Sequence, residues 1–479
     1  MFSYYEGRVI IHRADKKGFN APTEKQIKSS TVHNDALLNL PPNDSGNARR
    51  FMLFAERYVK YNKASDEWLY WNGKYWDNDA FPEIIQLAQW VMDKYYSVVH
   101  EACEVDKQRR SALEYHARTS NNYNSLVNML CLLKNMNYIN GAKCKPYYLN
   151  TVNGVVNLKN KQLLPHKPDF LCTNMCKYQY NPSAQSTRFK SFINEIMCGN
   201  KNLAKYLQCV LGYCITGSCS ENKMFFFKGQ GANGKSKLME AVENVMGNYF
   251  ARFPISALTK SHISAGHPTP ELVPLINKRI AYSSELKADN QINDSIVKTL
   301  TGSSKIMVRK MRKEYKESDV MFKIIVDTNF IPNFKFYDYA TERRIVIIPF
   351  DRVFKNGERD LQLHKKLADD GEYILKWLVD GAYSYYEQKR LQEPPEIAFA
   401  ISEFKRETDS IGCFIKDVLT DKCGGKIKSS VLYERYRAYC YENGFSEVDI
   451  KSFSQGMVNR NYRRKSQNSG SFFIDIDFI

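Results

Sequence analysis

The residues best placed to do chemistry lie in one stretch, MFFFKGQGANGKSKLMEAV, at positions 224–242. Gly229, Gln230, Gly231, Ala232, Asn233, Gly234, Lys235 and Ser236 match the spacing G-x-x-x-x-G-K-[ST], and Lys237 follows directly. Glycine has no Cβ, so successive backbone N–H groups can turn inward and approach an anion closely. A lysine after the second glycine places positive charge near the β- and γ-phosphates of a nucleotide. The Ser236 hydroxyl can ligate Mg²⁺. The pattern predicts a nucleoside-triphosphate site held by residues 229–237.

Such a loop works only between a strand and a helix. Met224 to Phe227 supply a buried strand before it. After it, Leu238, Ala241, Val242, Val245 and Met246 fall on one helical face, and Gly247 stands where a helix C-cap is expected. The helix N-terminus then points at the phosphates and favours their charge. Downstream, Arg279–Glu285 reads as an apolar strand ending in an acid that can orient an attacking water or hold the Mg²⁺ shell. Phe322–Asn329 reads as a second apolar strand, with Asn329 available to a γ-phosphate. Arg343 and Arg344 introduce a third, Ile345–Phe350. An arginine there can reach a neighbouring subunit's phosphates.

In this order and spacing the chain resembles the helicase module of the phage/plasmid primase family, which also covers poxvirus primase-helicases. The resemblance rests on Gly229–Ser236, Ser284-Glu285, and Lys298 with Leu300-Thr301-Gly302 and Arg309. It rests also on Thr328-Asn329 with Pro332, and on Arg343-Arg344 before Ile348-Pro349-Phe350. Upstream, Leu149-Asn150 with Asn153-Gly154-Val155, and Leu211-Gly212-Tyr213 with Thr216-Gly217, resemble the domain that precedes the helicase. It covers roughly residues 50–355. Three departures stand out: Ser304 replaces a frequent acid, Glu342 replaces a bulky aromatic, and Glu285 stands alone where many superfamily 3 members carry two adjacent acids.

The resemblance implies an α/β fold: an AAA+ P-loop ATPase core with a mixed α+β N-terminal domain and a small C-terminal winged-helix-like domain. It implies ATP and Mg²⁺ as cofactors, with Lys235 and Ser236 on the phosphates and metal, and Glu285 activating water beside the metal. Asn329 would sense the γ-phosphate, and Arg343 or Arg344 would reach across from the next copy in a ring, expected as a hexamer. A β-hairpin between the Glu285 strand and the Asn329 strand would touch DNA through Lys305, Arg309, Lys310, Arg312, Lys313 and Lys316, with Tyr315 free to stack on a base.

Composition agrees with a polyanionic partner: the formal net charge is +17. Hydrophobic residues make up 43% and charged residues 25%, ordinary for a globular protein. No apolar run approaches the ~20 residues needed to span a bilayer. The N-terminus lacks a basic segment followed by an apolar core, so a cytosolic location without membrane contact is expected. The 12 cysteines include no C-x-x-C pair and are expected to be reduced thiols. A second basic run, RNYRRK at 460–465, would sit on the wing of the C-terminal domain.

The expected organisation is a tail or linker over 1–45, an N-terminal α+β domain over 46–185, and a helical segment over 186–220. The core follows over 221–355, then a helical lid or connector over 356–395 and the winged-helix-like domain over 396–479. Residues 66–79 should form a β-hairpin on a tight two-residue type I′ turn at Asn72-Gly73, with Trp68, Trp71 and Trp76 packing a small sheet. The D-x-D patterns, Asp77-Asn-Asp79 and Asp475-Ile-Asp477, lie in no plausible catalytic domain. No primase activity is expected in this chain, and a separate primase is a candidate partner. The sequence therefore points to a ring-forming DNA helicase acting in replication of a virus, phage or mobile element. The rival readings are a non-translocating origin-binding or loading ATPase, and a small-molecule kinase that shares the loop.

Overall fold

A computed structural model describes residues 2–5, 8–11, 30–102, 105–141, 143–259, 270–286, 291–308, 316–330, 333–334, 339–355, 357–445, 447–467 and 470–479. The chain is a mixed α/β protein that divides into two compact units. One comprises Met1–Val156 with Leu163–Cys176, the other Asn157–Gln162 with Lys177–Ile479.

The first unit is built on helices Asp44–Ala55, Phe81–Glu101, Lys107–Ser120 and Tyr123–Leu133. Three start on side-chain caps: Asn43 accepts from Gly46 N, Asp106 from Gln108 N and Arg109 N, and Asn122 from Ser125 N. Their apolar faces bury Phe51, Leu87, Val91, Tyr95, Leu126 and Met129 together. Part of the stretch expected as a tail is also structured. Helix Ser30–Asn39 contributes a fully buried Leu37 to this cluster. The buried Arg50 guanidinium donates to the carbonyls of Leu37 (2.9 Å) and Pro41 (2.8 Å), and so ties that helix's C-terminal end down.

The Asn72-Gly73 hairpin forms between Glu67–Trp71 and Trp76–Asp77, but its loop is not the two-residue turn expected. Trp71 pairs with Trp76 across a four-residue loop. Asn72 Oδ1 closes that loop by accepting from Lys74 N and Tyr75 N, both at 3.0 Å. Trp71 and Trp76 are buried, and Trp76 Nε1 donates to Pro168 O at 2.8 Å.

In the second unit a five-stranded sheet carries the site. Its strands are β1 (Met224–Lys228), β2 (Phe250–Arg252), β3 (Ile280–Leu286), β4 (Lys323–Thr328) and β5 (Ile345–Pro349). The order is β2-β3-β4-β1-β5, and every pairing is parallel. Parallel strands covered on both faces read as unbroken apolar runs, as Phe225–Phe227, Ile324–Val326 and Ile345–Ile348 do. The chain leaves β1 for the edge strand β2, then returns through β3 and β4 to β1's flank. In open parallel sheets the crevice beyond the strands' C-terminal ends at such a reversal is where ligands bind.

Helix α1 (Lys235–Met246) follows β1. Its predicted face, Leu238, Ala241, Val242, Val245 and Met246, is buried, and Gly247 is the C-cap. Beyond the sheet, helices Lys201–Ile215 and Gly371–Gln388 pack backbone to backbone at Gly212 and Gly381, where a Cβ on either would overlap the other helix.

The C-terminal segment runs helix Ser410–Val418, strand Leu419–Lys428, helices Ser429–Asn443 and Ile450–Asn459, then strands Arg464–Gln467 and Gly470–Phe478. Its three strands form an antiparallel sheet with Gly470–Phe478 in the middle. Phe414, Tyr436, Phe453, Met457 and Phe473 fill its core. In the basic run, Arg460 pairs with Asp409 and Arg463 with Asp475, both at 2.6 Å, while Arg464 and Lys465 are exposed. Among the described residues no helix is long and apolar enough to cross a membrane.

Candidate nucleotide site

The glycine-rich loop leaves β1 at the C-terminal edge of the sheet and is braced on both sides. Gly229 N donates to Thr328 O on β4 (3.1 Å). On the β5 side, Phe350 N donates to Lys228 O (2.7 Å) and Phe354 N to Ala232 O (2.8 Å). Asn233 is buried and donates to Phe350 O at 3.4 Å, so this residue fastens the loop to the segment after β5. Gly234 has φ +85°, and a Cβ there would stand 2.5 Å from Ile196 Cγ2. Only glycine fits both constraints.

Lys235, the first residue of α1, is 2% exposed. Its Nζ donates to Gly229 O (2.7 Å) and Asn329 Oδ1 (3.3 Å), and lies 3.4 Å from Asp327 Oδ1. Burial lowers the pKa of this ammonium, and Asp327 acts in the opposite direction. Ser236 is exposed, and its Oγ donates to Asp327 Oδ2 at 3.0 Å. The Tyr282 hydroxyl on β3 donates to the same oxygen at 3.1 Å. Burial, and then Asp327, push the Tyr282 pKa up.

Three of the residues singled out from sequence, Lys235, Ser236 and Asn329, thus meet at one place. The residue that joins Lys235 to Ser236, Asp327, was not among the candidates. Its signal was present: an acid directly after the apolar run Ile324–Val326, two positions before Asn329. Glu285 lies close by in register. Ser283 pairs with Val326 and Leu286 with Thr328, so Ser284 and Glu285 together oppose the single residue Asp327. Such a bulge re-aims side chains and recurs beside active sites. The Glu285 side chain lies outside the described residues.

Other candidates are placed elsewhere. Lys237 pairs with Glu240 along the exposed face of α1 (2.7 Å) and does not join the cluster. Arg343 and Arg344 stand at the start of β5, whose pairing with β1 runs from Met224↔Ile345 to Lys228↔Pro349. At ~3.3 Å rise per residue, that strand separates them from the loop of their own chain by more than 10 Å. Arg343 is exposed. Arg344 is half-buried, donates to Ala340 O and packs on Gly302.

The predicted hairpin is present as Lys305–Val308 paired antiparallel with Lys316–Asp319. Lys305 is bound to Glu317 across the stem, so it is already neutralised. Arg309, Lys310, Arg312, Lys313 and Tyr315 lie outside the described residues, as do Pro332 and the Lys316 side chain.

The donor set suits Mg²⁺. It offers a hydroxyl and a carboxylate, both hard oxygen donors, and Mg²⁺ usually takes one or two carboxylates together with substrate phosphates. No group of three or more His, Cys, Asp or Glu with metal-binding geometry occurs among the described residues. Of the D-x-D aspartates, Asp77 accepts from Asp79 N, Asp475 pairs with Arg463, and Asp477 with Lys422.

Comparison with known proteins adds two family matches, one described as D5 N terminal like over residues 50–198 and one as Poxvirus D5 protein-like over residues 406–472. A protein of Acanthamoeba polyphaga mimivirus that carries a helicase name is 27% identical over 330 residues, 64% of this chain and 34% of its own length. Primase D5 of Fowlpox virus (strain NVSL) is 28% identical over 235 residues, 46% of this chain and 29% of its own length. The chain thus spans about a third of the length of either relative. Among solved structures, the A-form apo structure of the NrS-1 C-terminal region is similar at 12% identity and a TM-score of 0.45, covering 91% of this chain and 100% of that one. With D5-type matches over residues 50–198 and 406–472 and relatives among large DNA viruses, the chain is similar to the poxvirus D5 primase-helicase-like family.

Proposed function

We propose that this chain is an ATP-dependent DNA helicase of superfamily 3 that assembles as a ring and acts in replication. The observation that carries the reading is the convergence of Lys235, Ser236 and Asn329 on one point beyond the ends of β1 and β4. The strand order β2-β3-β4-β1-β5 supports an AAA+ core. The helix–strand–helix–helix–strand–strand order of the C-terminal segment supports a winged helix. Helicase and primase names among the relatives support a replication role.

In this reading the loop amides and Lys235 bind the phosphates, exchanging the lysine's present partners for phosphate oxygens. Ser236 and Glu285 would hold Mg²⁺, which would supply positive charge against the phosphates. Glu285 takes a proton from the attacking water, and Asn329 holds the γ-phosphate end. An arginine from a neighbouring copy completes the site, because Arg343 and Arg344 lie a strand's length from their own loop. The basic residues between the two paired strands carry the phosphate contacts to a single DNA strand, since Lys305 on the first strand is already paired. A separate primase remains a candidate partner.

The test measures ATP hydrolysis with and without single-stranded DNA, and strand displacement from a forked duplex, on the protein and on Lys235→Ala. DNA-stimulated hydrolysis with displacement, both lost in the variant, is the expected result. Stimulation without displacement supports a loading ATPase. No response to DNA refutes the helicase reading.

A further inference from the structure

We infer that Asp327 is the second acid of the metal site, supplied by β4 rather than by the β3 strand that carries Glu285. The inference rests on the nucleotide-site reading above. It is carried by geometry. Asp327 is 8% exposed and bridges both functional groups of the loop, with Oδ1 3.4 Å from Lys235 Nζ and Oδ2 3.0 Å from Ser236 Oγ.

A serine hydroxyl that ligates a cation does so through an oxygen lone pair, so its proton must point to an acceptor on the far side. Asp327 Oδ2 is that acceptor. The Tyr282 hydroxyl, donating to the same oxygen at 3.1 Å, fixes the carboxylate's orientation from β3. Carboxylates behind a metal ligand act in this way, and their loss typically costs 10–100-fold in metal affinity.

The register explains how the acid can come from a different strand. Two acids adjacent on one extended strand would project to opposite faces. Here the bulge sets Glu285 and Ser284 opposite Asp327, so Glu285 and Asp327 are neighbours across strands instead of along one. This accounts for the solitary glutamate on β3. Asp327 is a positioning residue: it aims Ser236 at the cation, while Glu285 is left to the water.

The decisive measurement is binding of a fluorescent ADP analogue to the full chain as a function of Mg²⁺, with EDTA as the zero point, for wild type, Asp327→Asn and Asp327→Glu. Measured against its own binding in EDTA, Asp327→Asn should require about 10-fold or more Mg²⁺ than wild type for half-maximal enhancement. Asp327→Glu should recover part of that shift. Glu285→Gln should lose hydrolysis. An unchanged Mg²⁺ midpoint in Asp327→Asn overturns the inference, as does an equal loss of binding with and without Mg²⁺, which would mark a structural role. Should Asp327→Asn fail to fold, the midpoint of Asp327→Glu decides: a shift upholds the inference and none overturns it. If the wild type itself binds no nucleotide, the nucleotide-site reading fails, and the inference with it.

Discussion

Lys235 and Lys323 are buried to nearly the same depth in the central sheet, at 2% and 3% exposed, but at opposite ends of it. Lys235 sits at the C-terminal edge beside β1, next to a carboxylate, an amide oxygen and a carbonyl, with the exposed Ser236 following it. Lys323 opens β4 at the N-terminal edge. Its ammonium donates to Thr216 O and to Met321 O, lies over the Tyr213 ring, and has the thiols of Cys214 and Cys219 as neighbours that favour its charge, with Arg279 opposing it. Burial lowers its pKa to about 8. A buried cation with a counter-ion and an open side can trade partners with an incoming anion. One enclosed by carbonyls has nothing to trade and serves as a strut.

The largest expected effect separates the two directly. Lys235→Ala should weaken binding of a fluorescent ATP analogue by about 100-fold or more, the scale for losing one well-placed charged donor. Lys323→Met should leave that affinity within about a factor of two. Equal losses would show that charge near the sheet, not position, governs binding, and the contrast would collapse.

The same two ends predict a division of labour between chains. Arg343→Ala should retain nucleotide binding and lose ATP hydrolysis by roughly 100-fold or more, as expected for a finger supplied in trans. Mixing Arg343→Ala with Lys235→Ala protein should restore part of the turnover, because some interfaces then pair an intact loop with an intact arginine. Arg344→Ala should instead lower stability by about 1 kcal/mol, since its guanidinium is already bonded to Ala340 O and packed on Gly302. No recovery in the mixture would place both halves of the site in one chain.

A smaller effect tests Asn329. Asn329→Ala should lower kcat by about 10-fold, with binding of the ATP analogue little changed, because its Oδ1 meets Lys235 at the far end of the site. A rise in KM with kcat unchanged would make Asn329 a binding contact only.

What the sequence made legible follows from how local each feature is. The loop, its strand and the buried face of α1 are written in consecutive residues, and the structure has them where the spacing put them. Asp327 was hidden because its meaning comes from three partners 45 to 92 positions away, Tyr282, Lys235 and Ser236, which only the strand order brings together. Helix Ser30–Asn39 was hidden for a related reason: its composition is polar, and what holds it is a distant arginine, Arg50, on its carbonyl end. The turn at Asn72-Gly73 was misjudged in kind. A two-residue turn needs left-handed backbone at both central positions, whereas here only Gly73 has it (φ +92°), and the Asn72 side chain bonds the loop instead.

The smallest effect concerns the strut, and its sign can be worked out. Lys323 has a folded-state pKa of about 8, below the ordinary lysine value, so between pH 8 and about 10.5 the unfolded chain holds more protons than the folded one. Stability contributed by this group therefore rises across that window. The neighbouring thiols act oppositely. Burial pushes Cys214 up to about 12 and raises Cys219, so above about pH 9 the unfolded chain loses protons that the folded one keeps, and stability falls. In the intact protein the two trends offset each other. Lys323→Met should remove the rise and leave the fall, so the variant should lose stability relative to wild type by about 2 kcal/mol between pH 7.5 and 9.5, read from denaturant midpoints at each pH. Parallel profiles would mean that this amine keeps its proton equally in both states, and that Lys323 and Lys235 are not different kinds of buried lysine.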